Sequence, residues 1–138
     1  MSYEENLRSM SFDADASVGV YTGVPGLPGS AVPNGGLQFR FVKLTGKNQV
    51  GLCTAGTDSV IGVLQNKPQR PGAACTVAYE GTTNIVAGAT IVVGDLLVPD
   101  STGRGVPIGA TATAAGSFRL RAISPAAVGE LVPALFVN

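Results

Sequence analysis

Regularly spaced short apolar runs predict an all-β fold: a small β-barrel or sandwich of short antiparallel strands with an extended N-terminal arm. Three observations carry this reading. From residue 37 onward, strand-like segments recur about every 8–12 residues, the spacing of a sandwich or barrel. The breaks between them are Gly, Pro, Asn and Asp, which supply a positive φ or a pre-set one at turns. Helical periodicity is scarce, with short helical candidates only at Tyr3–Met10 and Pro125–Val128.

Composition changes near residue 37 and divides the chain into an arm, 1–36, and a β-domain, 37–138. In the arm, Tyr3, Leu7, Met10, Phe12, Val18, Val20 and Tyr21 are spaced irregularly among Ser, Asp and Ala. A Gly/Pro stretch from Gly23 to Gly36 follows and carries Val24 and Leu27. Proline fixes φ and removes a donor, so this stretch favours polyproline II or turns over helix or sheet. Its three Gly-X-Y triplets, Gly23 to Ala31, are too few to hold a collagen helix. A linker and a docking arm both fit this pattern. An apolar arm without a partner is a solubility liability, which favours an arm whose side chains dock in grooves on a neighbouring subunit. On that reading, a chain beginning at residue 37 folds by itself and binds its partner poorly.

In the β-domain, strands are expected near Gln38–Lys43, Gln49–Thr54, Ser59–Leu64, Cys75–Glu80, Thr83–Val86, Leu96–Val98, Arg104–Ile108, Phe118–Ser124 and Leu131–Val137. Thr45-Gly-Lys-Asn48 and Ala55-Gly-Thr-Asp58 supply the first two turns. Lys67-Pro-Gln-Arg-Pro-Gly72 and Asp100-Ser-Thr-Gly103 supply two later ones. Phe118-Arg-Leu-Arg-Ala122 alternates, with Phe118 and Leu120 inward and Arg119 and Arg121 outward. Phe39-Arg-Phe-Val-Lys-Leu44 does not: Phe39 and Phe41 share one face, and Val42 and Leu44 share the other with Arg40. A strand apolar on both faces contacts a second body. Phe39, Phe41 and Val42 are therefore candidate subunit-interface residues.

The chain is 45% apolar and only 13% charged, against roughly a quarter charged in ordinary soluble domains. Part of its surface is expected to be buried against another chain. Nine basic and nine acidic residues cancel, so no field steers it toward nucleic acid or an acidic membrane. Its apolar runs are far shorter than the roughly 20 residues that cross a bilayer. The start, Met1-Ser-Tyr-Glu-Glu5, has no apolar leader and no glycine for myristoylation, which points to synthesis in a cytosol. With no histidine, a Ser-His-Asp or Cys-His arrangement cannot be built. Asp58, Asp95 and Asp100 fall in turns, where Asp caps backbone groups, and Glu80 ends a strand. No phosphate loop, calcium loop or basic–aromatic interleaving is present, so no cofactor, metal or nucleic acid is expected. Cys53 and Cys75 lie in strand-like runs and read as two small buried thiols, with a disulfide as the alternative.

The order of the later segments carries a resemblance. Val60-Ile-Gly-Val-Leu64 is followed by Cys75-Thr-Val-Ala-Tyr-Glu-Gly81, then by Ala87-Gly-Ala-Thr-Ile-Val-Val-Gly-Asp95-Leu-Leu. The Asp100-Ser-Thr-Gly103 turn comes next, and Ala126-Ala-Val-Gly-Glu-Leu-Val132 leads into the last strand. Over residues 59–137 this resembles the small capsid decoration, or cement, proteins of tailed bacteriophages. The resemblance implies a non-enzymatic virion protein on the outer surface of a phage head, commonly a homotrimer, that clamps adjacent major capsid protein subunits. Phe118-Arg-Leu-Arg121 and the long N-terminal arm depart from the family pattern and bear on how such a protein docks. A tail or baseplate β-module that binds host carbohydrate is the alternative class, and it requires an exposed aromatic platform. A small enzyme using carboxylates or the two thiols is the third.

Overall fold

The computed structural model describes residues 7–18, 38–68, 70–108 and 119–137, and all their regular elements are strands. Five of them, β1 (Arg8–Ala14), β2 (Phe41–Gly46), β3 (Gln49–Leu52), β4 (Val60–Leu64) and β5 (Ala74–Glu80), close a barrel in the order β1-β3-β2-β4-β5. The other five, β6 (Thr82–Val86), β7 (Leu96–Pro99), β8 (Gly105–Pro107), β9 (Arg119–Ala122) and β10 (Leu131–Val137), form a sheet in the order β6-β10-β9-β7-β8. Ala87, just after β6, bridges Gly105 of β8 in parallel, so the two edge strands of this sheet are brought together. The fold is all-β, and each of the nine expected strands overlaps an observed one.

The tenth strand corrects the reading of the N-terminal region. Arg8-Ser-Met-Ser-Phe-Asp-Ala14 is neither a helical turn nor a free arm but β1 of the barrel. Its residues alternate: Met10, Phe12 and Ala14 share one face, and Ser9, Ser11 and Asp13 the other. β1 runs antiparallel to β5, from Ser9 opposite Ala78 to Asp13 opposite Ala74. Against β3 it is parallel and pairs only at Asp13–Gln49 and Ala14–Val50. Hydrogen bonds from the Asp13 N–H to Asn48 (2.8 Å) and from the Asp15 N–H to Val50 (2.9 Å) secure this short seam. Ala14 and Val18 are fully buried in the barrel cluster with Val42, Val50, Leu64, Cys75 and Val77. The composition break at residue 37 thus lies inside the folded unit, because 7–18 supplies part of the barrel. Pro125–Val128 is likewise not helical; Ala126 bridges Ile91.

The strand expected from Gln38 begins only at Phe41, because Phe39 has φ of 60° and breaks the extended run. That break is a joint. The Phe39 N–H donates to the Leu64 carbonyl of the barrel at 2.7 Å, while its carbonyl accepts from the Val86 N–H of the second sheet at 3.0 Å. The Phe41 N–H then donates to Gly103 at 2.8 Å, and its carbonyl accepts from Cys53 at 3.0 Å. Phe41 and Val42, read from sequence as facing a partner subunit, are both buried within this chain. Phe41 joins Val63, Ile85, Leu97 and Leu120 in the core between barrel and sheet, and Val42 points into the barrel cluster. The second body that the two-faced strand requires is the chain's own second sheet.

Two glycines are fixed by close approach. A Cβ on Gly62 would run into the Ala78 carbonyl oxygen across the β4–β5 pair. Gly103 has φ of +77°, and a Cβ there would lie 2.6 Å from Leu52 and 3.1 Å from the Phe41 carbonyl.

Removing β1 strips the barrel of its closing strand, so a chain beginning at residue 37 is expected to lose cooperative thermal unfolding, followed by circular dichroism. Phe41→Ala is expected to cost about 3–5 kcal/mol in urea denaturation, the range for a large buried aromatic. A cost below 1 kcal/mol would contradict its place in the joint.

Candidate interaction surface

One end of the barrel is open and apolar. Met10 and Phe12 of β1, Leu44 of β2, Ile61 of β4, and Val77 and Tyr79 of β5 line a groove of about 260 Å³. Strand direction explains why it lies there. β1 enters the barrel at this end and β5 leaves from it, while Leu44 lies just past the last β2–β4 pair, Lys43–Val60, and Ile61 is the residue skipped at the register shift beside it. Along the inner face of β1, exposure falls from Met10 (55%) through half-buried Phe12 to fully buried Ala14. The groove is therefore the surface outlet of the barrel core. Leu44, 54% exposed, forms the opposite rim. No lining side chain carries a formal charge.

The edge of β1 beside the groove is also open. β3 reaches only Asp13 and Ala14, so β1 has no strand on that side at Ser9 and Ser11 among the described residues. Backbone parity with Asp13 turns the N–H and C=O groups of Ser9 and Ser11 toward this side. Other apolar residues are exposed elsewhere. Val92, Val93, Ile123 and Val128 surround the Ile91–Ala126 bridge, and Leu131 and Leu135 stand on the outer face of β10.

Of the residues expected to contact a partner, Met10 and Phe12 meet in the groove. Leu7 is exposed just before β1, and Phe39 is half-buried at the joint. Val18, Phe41 and Val42 are core. Tyr3, Val20, Tyr21, Val24 and Leu27 lie outside the described residues. Leu44 lies on the strand read from sequence as apolar on both faces, whereas Ile61, Val77 and Tyr79 are not among the expected contact residues. The alternation Cys75-x-Val77-x-Tyr79 marks one face of β5, but only the barrel closure shows that this face meets Met10.

The ionisable groups are tied into the scaffold. Asp58 accepts from the N–H groups of Thr54 (2.7 Å) and Ala55 (3.2 Å) and pairs with Lys43 Nζ at 3.0 Å. Asp100 accepts from the N–H groups of Thr102 (2.8 Å) and Arg104 (2.9 Å) and from Arg104 Nε at 2.9 Å. Asp95 accepts from the Val92 N–H, and Glu130 from the Ala127 N–H. For Asp58 and Asp100, burial pushes the carboxyl up, but these hydrogen bonds and the neighbouring cations outweigh it and hold each below its ordinary value. Asp15, held by Ser17 and Thr45 against the same burial effect, is also lowered. Arg40 donates to the Thr102 carbonyl at 2.9 Å and keeps a buried Nε with no partner. Burial, with help from Arg104, lowers its pKa, and Asp100 opposes them.

Cys53 and Cys75 are both free and buried, and they sit in different core clusters. Burial and the Asp58 charge push the Cys53 thiol up to about 12, with Lys43 opposing. Burial, Asp13 and Asp15 push Cys75 up to about 11. Asp15, Asp58 and Asp100 are thus held ionised by their donors, and both thiols are held protonated. Among the described residues, no three His, Cys, Asp or Glu side chains cluster as metal ligands. No helix among them is long and apolar enough to cross a membrane.

Comparison with known proteins gives a fold. No family model matches the chain, and no curated protein matches it. Among solved structures, it is similar to the N base of the head fiber gp8.5 of bacteriophage phi29, with a TM-score of 0.62 and 21% sequence identity. The likeness covers 95% of each chain.

Both thiols are expected to resist Ellman's reagent at pH 8 in the native protein and to react fully on unfolding. Rapid native labelling of either would contradict its burial. The lowered carboxylates stabilise the fold above their ordinary value of 3.8, and that stability is lost as pH falls through their folded values. Asp58→Ala is expected to cost about 1–3 kcal/mol at pH 7 by leaving the Thr54 and Ala55 donors and the Lys43 cation unmatched. It is also expected to weaken the loss of stability in acid, read from urea midpoints at successive pH values.

Proposed function

We propose that this chain is a non-enzymatic structural protein of a tailed-phage virion, seated on the outer surface of the head. The observation that carries the reading is the shared architecture with the phi29 head fiber base along nearly the whole of both chains. The order of motifs over residues 59–137, which resembles the capsid decoration proteins, supports it from a different direction. The chemistry is compatible: the carboxylates cap turns, the thiols are sealed in the core, and the exposed features are apolar.

In this reading the protein bridges neighbouring major capsid protein subunits as a homotrimer and needs no cofactor. Leu7, Met10 and Phe12, with Tyr3, Val20, Tyr21, Val24 and Leu27 of the flanking segments, are its partner-binding residues. Individually weak apolar contacts suffice, because an oligomer engaging several shell subunits gains through effective concentration.

Quantitative mass spectrometry of density-banded particles from the source lysate tests the reading. A molar ratio to the most abundant shell protein near one, or a simple fraction of it, is expected. A few copies per particle would place the chain at a vertex or tail, and absence from particles would overturn the reading.

A further inference from the structure

The groove at the barrel mouth has the chemistry of a polyproline-II site, and the chain carries a matching segment. Groove recognition of proline-rich segments uses aromatic walls and an uncharged floor, because the ligand is already extended and loses little entropy on binding. Phe12 and Tyr79 supply aromatic walls, and Met10, Leu44, Ile61 and Val77 the aliphatic remainder. The Tyr79 side chain is half-buried at the rim, where its hydroxyl can donate to a ligand carbonyl.

Residues 19–37 contain Val24-Pro-Gly-Leu-Pro28, a Pro-x-x-Pro sequence, and no charged residue. The described chain stops at Val18 and resumes at Gln38. Both anchors lie at the end of the barrel opposite the groove. Ser17 Oγ accepts from the Leu52 N–H, and Gln38 Nε2 donates to the Gln65 carbonyl, whereas the groove opens at Met10, Leu44 and Tyr79. At about 3.1 Å per residue, the six residues from Val18 to Val24 can extend about 19 Å and the ten from Pro28 to Gln38 about 31 Å. The segment is thus tethered at the end away from its own groove, which favours the mouth of a second copy.

We propose that the groove formed by Met10, Phe12, Leu44, Ile61, Val77 and Tyr79 receives the Val24–Pro28 segment of a second copy of this chain. This deepens the docking role given to Val24 and Leu27 above and rests on that part of the reading. The groove is thereby a self-assembly site that links copies head to tail, with the edge of β1 at Ser9 and Ser11, unpaired among the described residues, beside the incoming backbone.

The test uses two differently tagged full-length chains, one carrying Leu27→Cys and the other Leu44→Cys, the latter at an exposed position. They are mixed as purified proteins and, separately, incorporated into banded particles, then oxidised mildly. The expected result is a disulfide between the two tags, at least tenfold above any bond between two Leu27→Cys chains. Adding Pro25→Ser and Pro28→Ser should reduce it at least tenfold, with the thermal unfolding midpoint unchanged. No inter-tag bond in either setting would overturn the proposal. So would a bond formed only within one chain when both substitutions are placed together and diluted, or a bond to the shell subunit instead. Incorporation into heads without the inter-tag bond overturns the groove assignment alone. The bond without incorporation overturns the head reading alone.

Discussion

The structure depends on closing the barrel with its first strand through a two-residue parallel seam. β1 meets β3 only at Asp13 and Ala14, yet that contact turns a four-stranded sheet into a cylinder. A closed cylinder removes unpaired edges over most of its length and seals Ala14, Val18, Val50 and Leu64 from water. Because the seam is short, the rest of β1 projects beyond β3. Its inner face, Met10 and Phe12, becomes one wall of the open mouth. Barrel stability and the apolar groove are two consequences of one register.

The joint at Phe39–Phe41 makes the barrel and the second sheet one body. Phe39 gives up strand geometry, and its positive φ lets one residue bond to β4 and to the end of β6 at once. Phe41 then fills the space between the layers, where a buried side chain of its size contributes about 1.5–3 kcal/mol. The carboxylates serve the same end: Asp58 and Asp100 hold the turns beside this joint through backbone donors and a paired cation each.

The nine strands from residue 37 onward were legible because their signals are local: an apolar run ended by a turn residue whose φ the backbone needs. β1 was not, for a physical reason. Arg8–Ala14 lacks β-branched residues, and its only strand signal is the faint alternation of Met10, Phe12 and Ala14 with serines and an aspartate. Its pairing partner, β5, lies more than sixty positions away and cannot be inferred from spacing. The two-faced character of Phe41 and Val42 was legible, but not that the second face is covered by the same chain. The groove was legible only in Met10 and Phe12, since four strands converge to line it.

On the reading proposed above, a double-layered body with an uncharged, apolar mouth at one end assembles through shape and burial instead of charge. That account requires β1 to be an integral barrel strand. Amide hydrogen exchange read by mass spectrometry on the intact chain tests this most directly. The account predicts that peptides covering 8–14 are protected to the same degree as those covering 74–80. Exchange of 8–14 at the rate of an unstructured peptide, with 74–80 still protected, would contradict it.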